Sequence, residues 1–291
     1  MRNVPNKHVV SINSVIYSKG LWENFDCLVT TRSLIILTIL IVFFLTETAS
    51  KRSLTVPPEV IINQLKNQDL PKSVTHFDDC QLPVDILLLT VEDCEFLSCL
   101  SYLNPGFFKT VHDDLGFVYL GDMGEDERKL SIAVMNCYRG SASPGGSMIV
   151  VLNAVNALRP KAVFCVGSCR SLDYDKVKLG DIVMSEKLIT YGPCKITEGG
   201  IEERGFKVPL KSGLLKVKLR AVDGWKPPLK DPKALEVKIH HGTILSGPVE
   251  VIDSSKHCKA LIERFPEAVA MEEEGEGEFS GKSQTFGNLG H

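Results

Sequence analysis

The sequence lacks both the charge excess and the residue spacings that are typical of several common classes of protein. Its net charge is only −3, so no excess of one sign points to nucleic acid or to a charged partner. The seven histidines form neither an HExxH motif nor a Cys/His spacing that is typical of zinc sites. There is also no internal repeat. The sequence therefore gives no reason to expect a metal centre or a nucleic-acid partner.

The cysteines also lack a spacing that is typical of disulfide-bonded domains. The nine cysteines are scattered and include no CxxC motif. An odd number without a compact framework predicts reduced thiols in a fold of the cytosolic type. With 44% hydrophobic and 24% charged residues, the 291-residue chain can bury a sizeable core. Its length suits one large domain with an appendage, or two small domains.

Long hydrophobic runs are rare, and one segment is the exception. Residues 34–45 are apolar apart from Thr38, and basic residues flank them on both sides. The run is shorter than the roughly 20 residues that span a bilayer, and 32 residues are too many for the leading part of a signal peptide. Three interpretations of 33–49 stay open: a membrane anchor of a cytoplasmic domain, a signal segment, or a buried or non-native segment.

Beyond this segment, short apolar runs alternate with stretches in which apolar residues recur at the 3–4 spacing of an amphipathic helix. Short runs without polar alternation predict strands that are buried on both faces. Strands that alternate with helices predict a three-layer α/β/α domain with a largely parallel or mixed sheet. The predicted divisions are an N-terminal region (1–52), a linker (53–82), a globular domain (83–279) with a basic insertion (192–240), and a polar tail (280–291).

Two short motifs could contact a ligand. The loop GSASPGGS (140–147) has the glycine spacing of a phosphate loop, but Gly146 stands in place of the lysine, which argues against a nucleoside triphosphatase. Gly145, Gly146 and Ser147 precede a predicted helix, where free N–H groups favour an anion or a ligand oxygen. A plain strand-to-helix turn explains this loop equally well.

The second motif is VGSCRSL (166–172), at the carboxyl end of a predicted buried strand. Ligands of open α/β sheets bind outside such ends. Gly167 permits a close backbone approach, and Ser168 offers a hydroxyl group. A serine hydrolase is disfavoured, because Arg170 stands where the nucleophile elbow needs glycine.

Three segments occur in the order and at the distances of one known family: 85–100, 158–191 and 241–279. Together they resemble the purine nucleoside phosphorylase and methylthioadenosine nucleosidase superfamily. The middle segment is the most specific, since a GS turn is followed after about a dozen residues by KLGDIV. The resemblance implies cleavage of the N-glycosidic bond of a purine nucleoside, no cofactor other than phosphate as a co-substrate of a phosphorylase, and a homo-oligomer.

The resemblance also implies roles for individual residues. Glu95 matches the glutamate beside the attacking water, although a one-residue shift leaves Glu92 open, and Ser168 matches the serine of the ligand turn. In AMEEEGEGEF (270–279), Glu272 and Glu274 match the two glutamates of the family's A-x-E-M-E pattern. Glu274 is the expected acceptor from both ribose hydroxyls, a task that suits a charged carboxylate.

Several positions depart from the family pattern. Glu273 replaces a methionine, Arg170 replaces a small residue, and Val251 lies where an aromatic side chain often stacks on the base. Cys165 replaces an arginine of the phosphorylase branch, which favours hydrolysis over phosphorolysis. The tail 280–291 contains no aspartate to protonate the leaving base, which suggests a truncated product or an inactive domain. The alternatives to an enzyme are an inactive nucleoside-binding or assembly module tethered to a membrane, and an unrelated α/β binding protein.

Overall fold

A computed structural model describes most of the chain between residues 59 and 272, together with a short N-terminal segment. The segments 33–49 and 280–291 lie outside the described part. Within that part, no helix is long and apolar enough to cross a membrane. The described residues are 9–16, 59, 61, 64–125, 129–138, 147–173, 175–178, 180–191, 194–197, 200–203, 207–209, 226–231, 233, 236–247 and 255–272.

Thirteen strands and three α-helices occupy the described residues. The strands are β1 (Val9–Ile16), β2 (Val74–His76), β3 (Ile86–Thr90), β4 (Phe108–His112), β5 (Gly116–Met123), β6 (Leu130–Asn136), β7 (Ala162–Ser171), β8 (Ile182–Thr190), β9 (Cys194–Thr197), β10 (Gly200–Glu203), β11 (Lys207–Pro209), β12 (Ile239–Ser246) and β13 (Ala268–Glu272). The helices are α1 (Asp93–Ser101), α2 (Ser147–Leu158) and α3 (Ser255–Arg264).

One large mixed sheet contains all the described strands except β9 and β10, which form a separate pair. Its order is β1-β8-β12-β13-β7-β3-β6-β5-β4-β2, and β11 is added beside β8. Strands β3, β6 and β7 are mutually parallel, whereas β13 is antiparallel to β7. Because β1 also pairs with β7, the strands β7, β13, β12, β8 and β1 form a closed ring of pairings.

Helices cover both faces of the sheet around β3. Leu88 of β3 belongs to the same buried cluster as Phe96 and Leu100 of α1. Its neighbour Leu87 belongs to a second cluster, together with Val151 of α2. Successive residues of a strand face opposite sides, so α1 and α2 lie on opposite faces, and the apolar run of β3 is buried on both. The prediction of a three-layer α/β/α fold with a mixed sheet is confirmed.

Some strands lie where the sequence predicts none. β1 falls in the N-terminal region, and its sequence VVSINSVI has no strict alternation of apolar and polar residues. β2 falls in the predicted linker and has only three residues, which pair with β4 in parallel. In the predicted basic insertion, β11 pairs with β8. Their stability depends on pairing with strands that are distant in sequence, which a local pattern does not reveal.

Candidate active site

The candidate active site begins where β3 ends and α1 starts. Thr90 is the last residue of β3, and α1 begins at Asp93 with Glu92 as its N-cap. Glu92 and Glu95 form a capping box, in which each side chain accepts a hydrogen bond from the backbone N–H of the other residue. This local arrangement turns the Glu95 carboxylate back toward the carboxyl end of β3.

The carboxylate of Glu95 is held by three backbone N–H groups. Oε2 accepts hydrogen bonds from the N–H groups of Val91 and Glu92, at 3.0 and 2.9 Å. Oε1 accepts one from the N–H group of Ser168, at 3.0 Å. The structure therefore joins Glu95 directly to Ser168, 73 residues further along the chain. Gly167 and Ser168, which the sequence predicts as a turn after a strand, lie inside β7, and the name ligand turn is kept for these two residues.

The end of the β3–β7 pairing explains why the Ser168 N–H group reaches Glu95. The two strands pair only as far as Leu89 and Cys165. Beyond that point β3 turns into α1, while β7 continues to Ser171. The carboxylate of Glu95 takes the place of a backbone acceptor that β3 no longer supplies.

Glu95 is only 3% exposed. Desolvation by burial raises the pKa of its carboxyl group above the ordinary value, against the three backbone hydrogen bonds, which lower it. The nearby charge of Glu92 also raises this pKa. A carboxylate whose pKa is raised is a stronger base than an ordinary one, which suits it to accept a proton.

Gly167 leaves open the space beside this carboxylate. A Cβ atom added at Gly167 would lie 3.5 Å from Oε1 of Glu95 and 3.7 Å from Oε2. A larger side chain at this position would therefore cover the carboxylate. Gly167, Ser168 and Glu95 therefore form one compact group.

The structure also distinguishes Glu95 from Glu92. Glu95 is buried against the turn, whereas the Glu92 side chain is partly exposed and caps the backbone N–H of Glu95. The Ser168 N–H group donates to the Glu95 carboxylate. The geometry thus favours Glu95 over Glu92 as the glutamate of the ligand turn.

Glu272 is the last residue of β13 and is buried. It lies opposite Ser246 of β12, and its carbonyl oxygen accepts a hydrogen bond from the N–H group of Gly247 at 3.2 Å. β13 meets β7 through Met271, which lies opposite Arg170. Since these two strands are antiparallel, Glu272 follows Met271 in the direction of Cys169 and the ligand turn.

The remaining predicted site residues are not described. Glu274, Val251, Gly145 and Gly146 lie outside the described residues. Ser147 is the first residue of α2. Their predicted roles remain predictions.

Two polar residues at the carboxyl ends of β3 and β6, Thr90 and Asn136, were not predicted from the sequence. Thr90 is fully buried at the carboxyl end of β3, and its hydroxyl group lies 3.1 Å from Oδ1 of Asn136 at the end of the neighbouring strand β6. The hydroxyl group also donates to the carbonyl oxygen of Met135 at 3.3 Å. The break from leucines to threonine in ILLLT is the sequence pattern that could have revealed this position.

Cys165, which replaces an arginine of the phosphorylase branch, supplies no cation at this position. Cys165 is buried, and its backbone pairs with Leu89 of β3 and with Asn13 of β1. A thiol in this apolar position offers no positive charge to a phosphate ion.

Comparison with known proteins gives a curated relative and solved structures of the same fold. No protein-family model matches the chain. A curated relative, "Death domain-containing ATP nucleosidase" of Amphimedon queenslandica, is 25% identical over 221 residues, which are 69% of this chain and 41% of the relative. The chain thus spans less than half the length of that relative.

Solved structures show the same fold. The futalosine hydrolase of Helicobacter pylori strain 26695 matches with a TM-score of 0.50 in a mutant form, at 18% identity over 70% of this chain and 84% of that chain. Its native form matches with a TM-score of 0.50, at 16% identity over 71% of this chain and 84% of that chain. The chain therefore shares the fold of these hydrolases, and it is similar in sequence to the curated relative over 221 residues.

Proposed function

We propose that this chain hydrolyses the N-glycosidic bond of an adenine nucleoside or nucleotide, with Glu95 as the residue that activates water. The observation that carries the proposal is the hydrogen bond between the buried Glu95 carboxylate and the Ser168 N–H group. In this reaction the bond between the anomeric carbon and the base nitrogen breaks. The water oxygen bonds to the anomeric carbon, and the base leaves with a proton.

The hydrogen bonds assign different tasks to the two oxygens of Glu95. A carboxylate oxygen accepts about two hydrogen bonds. From the described residues, Oε2 accepts two, from Val91 and Glu92, whereas Oε1 accepts one, from Ser168. Oε1 therefore has a lone pair with which to orient a water, and Gly167 leaves the space beside it open. The raised pKa allows the carboxyl group to accept and return the proton of that water.

The substrate class follows from the curated relative and from the resemblance. The relative is described as an ATP nucleosidase, so nucleotides join nucleosides as candidate substrates. Glu272 and Glu274 are the candidate ribose acceptors. We also expect a homo-oligomer, as the resemblance implies.

The test measures free base released by the full-length protein. Adenosine, methylthioadenosine, inosine, uridine, AMP and ATP are each supplied with and without phosphate. We expect adenine from at least one adenine compound without phosphate, and a loss of roughly 10²- to 10⁴-fold in Glu95→Gln. Glu92→Gln is the matched control, since it removes a neighbouring carboxylate that caps the helix.

Isotope incorporation distinguishes the two reactions. In water labelled with ¹⁸O, hydrolysis places one heavy oxygen on the anomeric carbon of the sugar product. Release that occurs only with phosphate would establish phosphorolysis instead. A folded protein that is stabilised by adenine compounds but releases no base would establish the inactive binding module.

A further inference from the structure

The N-terminal strand β1 belongs to the same sheet as the ligand turn. All eight of its residues pair with β7 in antiparallel register, from Val9 opposite Cys169 to Ile16 opposite Ala162. On its other edge, Val10–Ile12 pair with β8 in parallel register from Ile182 to Met184. β1 is therefore an internal strand at this point, with hydrogen-bonding neighbours on both sides.

The backbone of the ligand turn depends on β1 for its pairing. β3 pairs with β7 only as far as Cys165, and β13 pairs with β7 only at Arg170 and Ser171. Among the described strands, β1 is the one that pairs with residues 166–169. The turn is thus held between the Glu95 carboxylate on one edge and β1 on the other.

Two hydrogen bonds fix which residues of β7 point toward β1. The N–H groups of Ala162 and Ser168 point to the β3 side, toward Asp85 and Glu95 respectively. In a strand, successive residues direct their hydrogen-bonding groups to alternate edges. The odd-numbered residues of β7, including Gly167, therefore exchange hydrogen bonds with β1.

We infer that β1 is an integral part of the active-site fold and positions Gly167 and Ser168 of β7 against Glu95. Without β1, the hydrogen-bonding groups of Gly167 and Cys169 on that edge would lose their partners, and β7 would have an open edge beside the site. The catalytic domain is then discontinuous in sequence, because its first strand precedes residues 17–58. The role of β1 in activity rests on the function proposed above, whereas its place in the sheet does not.

The pairing also bears on the apolar segment 33–49. β1 precedes this segment, and Ile61, which follows it, donates a backbone hydrogen bond to Pro228 of the same domain. A single crossing between them would place β1 and its partner β7 on opposite sides of a bilayer core about 30 Å thick. Pairing of β1 is therefore incompatible with a single membrane crossing by this segment.

The register is tested by engineered disulfides in the full-length chain. Ser14 lies opposite Phe164, a pair that does not exchange hydrogen bonds by the alternation above, so its Cα atoms are about 4.5 Å apart. This distance suits a disulfide. The variant Ser14→Cys with Phe164→Cys should form the cross-link under mild oxidation, as detected by peptide mass spectrometry. The control, Val15→Cys with Phe164→Cys, directs the thiols to opposite faces and should not form it.

Proline variants test the positioning role. The N–H group of Asn13 points to β7, opposite Cys165, whereas that of Ser14 points to the other edge, beyond the residues that pair with β8. Asn13→Pro should lower the melting temperature by roughly 5 °C and base release by roughly 10- to 100-fold. Ser14→Pro should have a clearly smaller effect on both. If Asn13→Pro does not fold, hydrogen exchange of the wild-type chain replaces it, with slow exchange expected for the four residues whose N–H groups point to β7, which are Val9, Ser11, Asn13 and Val15.

The outcomes separate the two proposals. Equal cross-linking in both cysteine pairs, or rapid exchange of Val9, Ser11, Asn13 and Val15 in a folded protein, would overturn the inference. A wild-type melting temperature and wild-type base release in Asn13→Pro would overturn it as well. Selective cross-linking in a chain that releases no base from any substrate would instead refute the proposed function and leave β1 in the sheet.

Discussion

Replacing Glu95 with glutamine tests the site through the pH dependence of stability. Burial raises the pKa of Glu95 in the folded protein above its ordinary value of 4.5. Below the unfolded-state pKa both states are protonated, and burial of the group costs little. As the pH rises through the unfolded and then the folded pKa, the wild type loses stability relative to the glutamine variant. The loss is about 1.4 kcal/mol for each pH unit that separates the two pKa values.

A second effect of this substitution is independent of pH. Three N–H groups point at the two oxygens of Glu95, and an amide has only one oxygen. If that oxygen keeps the two bonds to Val91 and Glu92, the NH₂ group faces the Ser168 N–H group, and one hydrogen bond is lost. Leaving such a buried donor unsatisfied costs about 1–3 kcal/mol. The variant should therefore be less stable than the wild type near pH 4, and this deficit should shrink as the pH rises.

Urea unfolding between pH 4 and pH 8 measures both effects. Glu263→Gln is the control, because it removes the same charge from an exposed position on α3. A deficit that stays constant with pH would mean that the pKa of Glu95 is not raised. A deficit that grows with pH would mean that the backbone hydrogen bonds outweigh burial, which would refute the electrostatic argument for Glu95 as a proton acceptor.

Three further predictions concern single residues. Gly167→Ala should change the free energy of unfolding by less than about 1 kcal/mol, because the added Cβ makes only ordinary contacts at 3.5 Å or more. It should nevertheless lower base release, because the Cβ crowds Oε1 of Glu95. Its control, Gly121→Ala, should instead destabilise the protein, because the added Cβ would lie 2.7 Å from Phe107. Asp181→Ala should cost about 3–5 kcal/mol in urea unfolding, since this buried carboxylate accepts three hydrogen bonds. Exposed Cys94 should react rapidly with iodoacetamide, whereas Cys99 should resist, because burial raises the pKa of its thiol; equal labelling of the native protein would contradict this.

The layered architecture could be predicted from the sequence because its central elements carry their own patterns. The apolar run of β3 has no polar alternation, and it is buried on both faces as that pattern predicts. The 3–4 spacing of apolar residues predicted α2, whose Val151, Val155 and Leu158 are buried. In both cases the information lies within about a dozen consecutive residues. β1 and β2 carry no such pattern, because their positions depend on partners elsewhere in the chain.

The candidate site divides in the same way. The capping box between Glu92 and Glu95 is visible in four consecutive residues, so the position of the Glu95 carboxylate at the start of α1 is a local property. Its hydrogen bond to Ser168 depends on two parallel strands that end at different points, and no local pattern encodes it. Only the resemblance to a family brought those two residues together before the structure did.

The position of β1 determines what covers the edge of β7 beside the ligand turn. β7 is paired along Ala162–Cys169 with β1. The edge beside the ligand turn is thus covered by residues from the other end of the chain. The N–H group of Ser168 donates a hydrogen bond to Glu95, whereas the hydrogen-bonding groups of Gly167 and Cys169 point to β1. The geometry of the site therefore depends on both neighbours of β7, Glu95 and β1. A shortened protein that begins after residue 52 would lack one of them.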